Sequence, residues 1–73
     1  MNIQFLPHSN RKAFVIYEDD GTATLVSYET AVLKRSKNGQ LVRLWDSWSA
    51  TTGRYISAFC GLKKADYERL PME

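Results

Sequence analysis

Apolar and β-branched residues in the first half of the chain are interrupted by turn residues, which indicates a first β-hairpin. Residues 13–17 read Ala-Phe-Val-Ile-Tyr and run into an acidic stretch that ends at Gly21. Glycine adopts the positive φ angle that a tight turn needs, and residues 22–28 are again rich in β-formers. The pattern therefore predicts two antiparallel strands joined by this turn.

A second hairpin follows, with strands predicted over residues 30–35 and 40–45. They flank residues 37–39 (Lys-Asn-Gly), and Asn-Gly is the strongest two-residue signal for a hairpin turn. Residues 28–29 connect the two hairpins. The first half of the chain is thus expected to form a four-stranded antiparallel meander.

Beyond Trp48 the spacing of apolar positions changes to that of a helix. Thr51 and Thr52 are favourable N-cap residues, so a short helix is predicted over residues 53–60 and ends at Gly61. The apolar stripe of this helix consists of Tyr55, Ile56, Phe59 and Cys60.

A second short helix is predicted over residues 63–70, where Pro71 stops it. The fold class is therefore α+β: a four-stranded antiparallel meander with two short helices packed on one face. Phe14, Phe59 and Trp48 are expected to fill the core together with one face of the strands.

The chain is expected to be a single domain over residues 1–73, in which residues 1–11 form an N-terminal segment with a mobile turn around His8. A chain of this length buries only about 60% of its unfolded surface, so a homodimer is a natural way to gain stability. Nothing in the sequence requires one. The formal net charge of +2 is too small to indicate nucleic-acid binding by itself.

The compartment is inferred from what the sequence lacks. Cys60 is the only cysteine, whereas small secreted domains usually depend on several disulfides. No stretch resembles a signal peptide, and none approaches the roughly 20 apolar residues of a membrane span. The chain starts at Met1 and is expected to be complete, cytoplasmic and without a membrane segment.

Enzymatic and metal-binding functions are disfavoured by the residues available. His8 is the only histidine and Cys60 the only cysteine, so neither a zinc site nor an activated nucleophile is expected. Cys60 falls on the apolar stripe of its helix, which favours a buried structural thiol. The glycines are scattered singly and form no phosphate loop, and no cofactor is expected.

The second hairpin carries the main candidate site. With a two-residue loop, Lys34 lies opposite Arg43 and shares a face with Trp45, while Leu33 and its neighbours turn inward. Two cations beside an exposed indole suit phosphate contacts and base stacking, or an acidic protein partner. Arg35 and Lys37 extend this basic surface.

Two simpler structural interpretations are alternatives to binding-site hypotheses for these residues. Lys34 and Arg43 are also typical of solvated strand residues that discourage edge pairing, with Trp45 covering part of the core. Arg54 follows the predicted N-cap, where an anion pocket is conceivable. An ordinary ion pair from Arg54 to Asp46 is the simpler interpretation.

Residues 27–30 (Ser-Tyr-Glu-Thr) and 48–55 (Trp-Ser-Ala-Thr-Thr-Gly-Arg-Tyr) form a pattern with a precedent. It resembles small uncharacterised proteins of bacteriophages and mobile elements that carry Ser-Tyr-x-Thr followed by Trp/Tyr-Ser-x-Thr-Thr-x-Arg/Lys-His. The resemblance spans residues 27–71, and Tyr55 stands where that pattern has histidine. It implies a phage or plasmid context without supplying an activity.

Three functions follow as hypotheses. The first is a non-enzymatic accessory protein that binds a macromolecular partner, in the first place a host protein. The second is a nucleic-acid-binding module that uses the basic and aromatic face of the second hairpin. The third is a homo-oligomeric subunit without a separable activity.

Overall fold

The computed structural model describes residues 1–7 and 9–73, which form one antiparallel sheet and two short helices. The strands, in spatial as well as chain order, are β1 (Asn2–Phe5), β2 (Ala13–Tyr17), β3 (Ala23–Ser27), β4 (Thr30–Arg35) and β5 (Leu41–Arg43). The helices are α1 (Ala50–Cys60) and α2 (Lys64–Glu68). The expected α+β class, with an antiparallel sheet and short C-terminal helices, is confirmed.

The sheet has five strands in the described residues, so the expectation of four was one too few. The additional strand, β1, pairs with β2 along its whole length, from Asn2 opposite Tyr17 to Phe5 opposite Phe14. Four residues are too few to give a reliable strand signal, and β1 forms because β2 offers it an edge. The interpretation of His8 as part of a mobile turn lies outside the described residues.

The turn between β4 and β5 differs from the predicted one by a single residue. Ser36 and Gln40 close a three-residue loop, with the Ser36 amide donating to the Gln40 carbonyl at 2.8 Å. Gly39 has a φ of 90°, as expected for the bulge that ends such a loop. Lys34 therefore lies opposite Val42, and Arg43 lies opposite Leu33, so the predicted opposition of Lys34 and Arg43 is wrong.

An irregularity between β3 and β4 brings two consecutive side chains into the core. Leu25 pairs with Leu33, but Val26 pairs with Ala31, which leaves Val32 as an extra residue. Val32 and Leu33 are both buried as a result. Such bulges locally change the direction of side chains without ending the sheet.

Helix α1 begins earlier than the sequence predicted. Ser49 is its N-cap, and the Ser49 hydroxyl accepts a hydrogen bond from the Thr52 amide at 3.1 Å. The Thr52 hydroxyl is instead buried 3.0 Å from the Ser27 hydroxyl and ties α1 to β3. Gly61 ends the helix in the left-handed conformation, as predicted.

The core lies between the sheet and the helices. Its fully buried cluster consists of Val15, Ala23, Leu25, Val32, Leu33, Ile56 and Tyr67. Phe14, expected there, lies on the other face of the sheet. Phe59 and Trp48, the other expected members, are half-buried at its margin, as is Trp45. The helices contribute Ile56 and Tyr67, because those two side chains sit over the centre of the strands.

Gly53 is needed because the Trp48 indole lies directly on α1. A Cβ atom at position 53 would be 2.4 Å from Cζ2 of Trp48. The indole cannot simply move away, since its ring also contacts Tyr67 at a centroid distance of 5.4 Å. Trp48 thereby fills the space between α1 and α2.

We expect Gly53→Ala to destabilise the protein by about 1–3 kcal/mol, because the added methyl group overpacks this contact. In an ordinary helix interior the same change stabilises by about 1 kcal/mol, so the sign of the effect is diagnostic. Urea unfolding measures it, with Ser57→Ala on the exposed side of α1 as the control that should be neutral or slightly stabilising. A stabilised Gly53→Ala variant would contradict the contact.

Candidate functional site

One face of the sheet carries no helix in the described part of the chain, and we call it the open face. The pairing registers define its members as Ile3, Phe5, Phe14, Ile16, Thr24, Val26, Ala31, Lys34 and Val42. An antiparallel sheet that leaves one face to water usually alternates apolar and polar residues. Here most of the side chains are apolar. Of these, Ile3, Phe5 and Ala31 are exposed, Phe14, Ile16 and Val42 are half-buried, and Val26 is buried.

The edge strand β1 shows this most clearly. Its sequence alternates polar Asn2 and Gln4 with apolar Ile3 and Phe5, and the apolar pair points to the open face. Ile3 is 48% exposed and Phe5 is 42% exposed. Large apolar side chains grouped on an exposed surface mark interaction sites more often than isolated ones do.

Aromatic rings and a cation occupy one end of the open face. Phe5 and Phe14 meet edge to face, with their centroids 5.7 Å apart. The Arg11 guanidinium lies 4.9 Å from the centre of the Phe5 ring. The arrangement presents a flat, partly exposed aromatic surface with a positive charge over it.

This end continues into a groove of about 410 Å³, which we call the turn-end groove. It is lined by Arg11, Lys12, Phe14, Tyr28 and Glu29. The Tyr28 amide donates to the Lys12 carbonyl at 2.9 Å, and the Lys12 ammonium lies 5.8 Å from the centre of the Tyr28 ring. The groove therefore joins the β1–β2 loop to the β3–β4 turn.

The backbone is strained around this groove. Arg11, Tyr28 and Glu29 have φ angles of 65°, 49° and 72°, and Asn10 has one of 53°. Asparagine tolerates such angles, but the left-handed conformation costs other non-glycine residues about 1–2 kcal/mol each. Strained backbone conformations of this kind occur mostly at functional sites. Glycine would adopt these φ angles without strain, so selection for stability alone would favour glycine there.

Tyr28 also brings together residues 27–30 and 48–55, which are far apart in the sequence. The Tyr28 and Tyr55 rings lie 6.3 Å apart, and the Ser27 and Thr52 hydroxyls lie 3.0 Å apart beneath them. The hydroxyl of Tyr28, followed by partial burial, raises the pKa of Tyr55 above its ordinary value. Position 55, where the pattern has histidine, is thus beside the turn-end groove.

The basic residues predicted as one site lie on different faces. Lys34 is on the open face and forms an ion pair with Glu73. Arg43 is on the helix side, where Nε donates to the Leu70 carbonyl at 2.8 Å and the guanidinium lies 5.9 Å from the Tyr67 ring. Arg43 therefore anchors the C-terminal segment, and the predicted pair of cations does not form.

The remaining candidates of the second hairpin are also dispersed. The Arg35 guanidinium lies 4.8 Å from the Phe59 ring, on the helix side. Trp45 is half-buried against the core rather than exposed beside the cations. Lys37 lies in the β4–β5 turn, where its side chain approaches Gly21. The residues that the sequence grouped into one basic and aromatic site are therefore not brought together by the fold.

Arg54 is exposed in the second turn of α1, because the helix starts at Ala50 rather than at Gly53. The anion pocket imagined at a helix N-terminus therefore does not involve it. Across the described residues Arg54 makes no ion pair, with Asp46 or any other carboxylate.

Potential metal ligands do not form a cluster in residues 1–7 and 9–73. No group of three His, Cys, Asp or Glu side chains in this part of the chain could hold a metal ion. The Cys60 thiol is half-buried and lies 3.4 Å from the Ile56 carbonyl. Burial raises the pKa of this thiol, which lowers its reactivity at neutral pH.

One sequence signal could have revealed the open face. Residues 13–17 are apolar at every position, whereas a strand with one wet face alternates. The run indicates a strand buried on both sides, and the helices cover only one. Arg11, Lys12 and Tyr28 carry no comparable signal, because a loop and a turn bring them together.

The chain belongs to a family of unknown function, DUF8033, whose model matches residues 1–70. Searches of curated proteins and of solved structures find no match. No helix in the described residues is long and apolar enough to cross a membrane.

We expect Glu29→Gly to stabilise the protein by about 0.5–1 kcal/mol, because relief of the left-handed strain outweighs the chain entropy that glycine loses. The melting temperature should rise by about 2–8 °C, measured by circular dichroism. Glu29→Ala removes the same carboxylate but not the strain, so it should give no gain. Equal melting temperatures for the two variants would show that the turn is not strained.

Proposed function

We propose that this chain is a small, non-enzymatic accessory protein of the phage or mobile-element type that acts by binding a macromolecular partner, in the first place a host protein. The open face and the turn-end groove together form the binding surface. The mobile-element context rests on the resemblance of residues 27–71. A cytoplasmic location is part of the proposal because small secreted domains usually depend on several cysteines and this chain has one. The partner-binding role rests on the geometry.

The observation that carries the proposal is the orientation of β1. An edge strand contributes to folding by burying its apolar side against a core, yet Ile3 and Phe5 point away from the helices. The polar Asn2 and Gln4 take the helix side instead. This orientation supports the proposal, because grouped apolar side chains on an exposed surface often mark protein interaction sites.

The residue types on this surface also suit a protein partner. Aromatic and arginine side chains supply most of the binding energy in protein interfaces, and here Phe5, Phe14, Tyr28 and Arg11 are neighbours. Aliphatic Ile16 and Val26 lie beside them on the open face, and Val42 lies at its far edge. Lys34, which pairs with Glu73, is the one charged residue among the paired positions of this face, and the other charges lie at its two ends.

We expect the variant Ile3→Lys/Ile16→Glu to lose the partner while keeping the fold. The two positions are paired across β1 and β2, so the new side chains form an opposite-charge pair and leave the net charge unchanged. The measurement is quantitative capture from a host lysate, followed by calorimetry with the purified partner. A decrease in affinity of at least about 100-fold is expected.

The matched control is Lys64→Glu/Glu68→Lys, which exchanges two exposed charges on α2. It should bind the partner like the unmodified protein. Circular dichroism confirms the fold of both variants. A partner retained by the Ile3→Lys/Ile16→Glu variant would mean that the open face is not the binding surface.

Nucleic-acid binding is the second candidate, and one observation favours it. Two cations lie over aromatic rings at the same end of the sheet, Arg11 over Phe5 and Lys12 over Tyr28. Aromatic rings on a sheet surface stack with unpaired bases, and neighbouring cations contact phosphates. The site differs from the one expected on the second hairpin.

If nucleic acid is the partner, a labelled single-stranded oligonucleotide should bind with an affinity that falls steeply as salt rises. Fluorescence anisotropy measures this, and Arg11→Glu/Lys12→Glu should abolish the binding. Lys64→Glu/Arg69→Glu serves as a control, because it makes the same change in net charge at exposed positions of the helix layer. Absence of binding at low salt would eliminate this candidate.

A further inference from the structure

Strand β2 is preceded by positively charged residues and followed by negatively charged ones, so the two ends of the open face differ in charge. Arg11 and Lys12 precede the strand, and Glu18, Asp19 and Asp20 follow it. Both groups lie in exposed loops at opposite ends of the sheet. The apolar side chains of the open face lie between a basic end, where Arg11 and Lys12 outnumber the single carboxylate of Glu29, and an acidic end.

Such a surface complements itself. Rotation by 180° about an axis that lies in the open face and runs perpendicular to the strands reverses the direction of every strand. It places a second copy with its β2 antiparallel over the first, so that each basic end meets an acidic end. The contact is then isologous, and the closed twofold form is the commonest symmetry of soluble oligomers.

We propose that a second copy of this chain covers the open face in this orientation and inserts its acidic β2–β3 turn towards the turn-end groove. This inference rests on the proposed function, since it names an occupant of the same binding surface. A host protein that binds there competes with the second copy. The homodimer is therefore the form that keeps the apolar surface covered until such a partner arrives.

The shortest dimension of the molecule agrees with a sheet that is covered by helices on one face only. Its shortest extent is 19 Å, which accommodates one sheet and one layer of helices. Two sheets that pack face to face keep their strands within about 30° of each other, which the twofold arrangement allows. The other two extents, 30 and 28 Å, limit the contact to the standard size of about 800 Å² per partner. A reversible dimer is therefore expected.

The other charges near the acidic end leave its sign intact. The N-terminal amine pairs with Asp19 at 2.9 Å, and Lys34 pairs with Glu73. Asp20 accepts a hydrogen bond from the Thr22 amide, which with a smaller contribution from Lys34 lowers the pKa of this carboxyl group. Glu18 forms no ion pair with any described residue, and Lys37 adds one positive charge in the adjacent turn.

The experiment uses two variants that change one end each. Arg11→Glu/Lys12→Glu makes both ends acidic, and Glu18→Lys/Asp19→Lys makes both ends basic. Asp20 is left in place because it caps the turn. Sedimentation equilibrium measures the monomer–dimer constant of each protein, from about 1 μM to about 1 mM.

The unmodified chain should dimerise in this range, and each variant alone should do so at least about tenfold more weakly, because like charges then face each other. An equimolar mixture of the two variants should dimerise like the unmodified protein, and native mass spectrometry should find one copy of each. The control variant Lys64→Glu/Arg69→Glu makes the same change in net charge as Arg11→Glu/Lys12→Glu, but on the helix layer. It should not alter the dimer.

Three results would overturn the inference. They are a monomeric unmodified protein at about 1 mM, variants that dimerise normally, and a mixture that remains monomeric. If the unmodified chain is monomeric but the Ile3→Lys/Ile16→Glu variant still loses its partner, the dimer is refuted and the proposed function stands. If the chain dimerises but no other protein binds the open face, the proposed function is refuted and the dimer stands.

Discussion

The buried side chain of Tyr67 holds the helix layer to the sheet, and the rest of the structure depends on it. Its hydroxyl lies 2.7 Å from the carbonyl oxygens of both Val32, at the bulge, and Trp45, where the chain leaves β5. One hydroxyl can donate to only one of them at a time; the contact with Val32 is buried and the contact with Trp45 is partly buried. Burial, more than any nearby charge, raises the pKa of Tyr67 and keeps it neutral. Around this anchor Trp48 and Arg43 fix α1 and the C-terminal segment.

Because the helices gather around this anchor, they cover only one face of the sheet. The bulge at Val32 strengthens the asymmetry, since it directs Val32 and Leu33 together into the core. The opposite face keeps apolar residues that the core does not use. The sheet thus serves folding on one side and, in the function we propose, recognition on the other.

The strained residues around the turn-end groove lower the stability of this small domain and, in the function we propose, present side chains to a partner. A chain of this length has a net stability of about 3–5 kcal/mol, so several left-handed residues at about 1–2 kcal/mol each are a large burden. The strained turns hold Arg11 and Tyr28 at one end of the open face. Glycine in these turns would fold more easily and present no side chains to a partner.

The sequence alone determined the α+β class, the meander from β2 to β5 and the helix end at Gly61. These features follow from local patterns of apolar spacing and turn residues. The tertiary structure decided the pairing of β1, the three-residue turn before Gln40 and the positions of Lys34 and Arg43 on opposite faces. The physical reason is that side chains alternate along a strand. A one-residue change in register, which costs little locally, moves each side chain to the other face, and only contacts across the whole domain decide which register is stable.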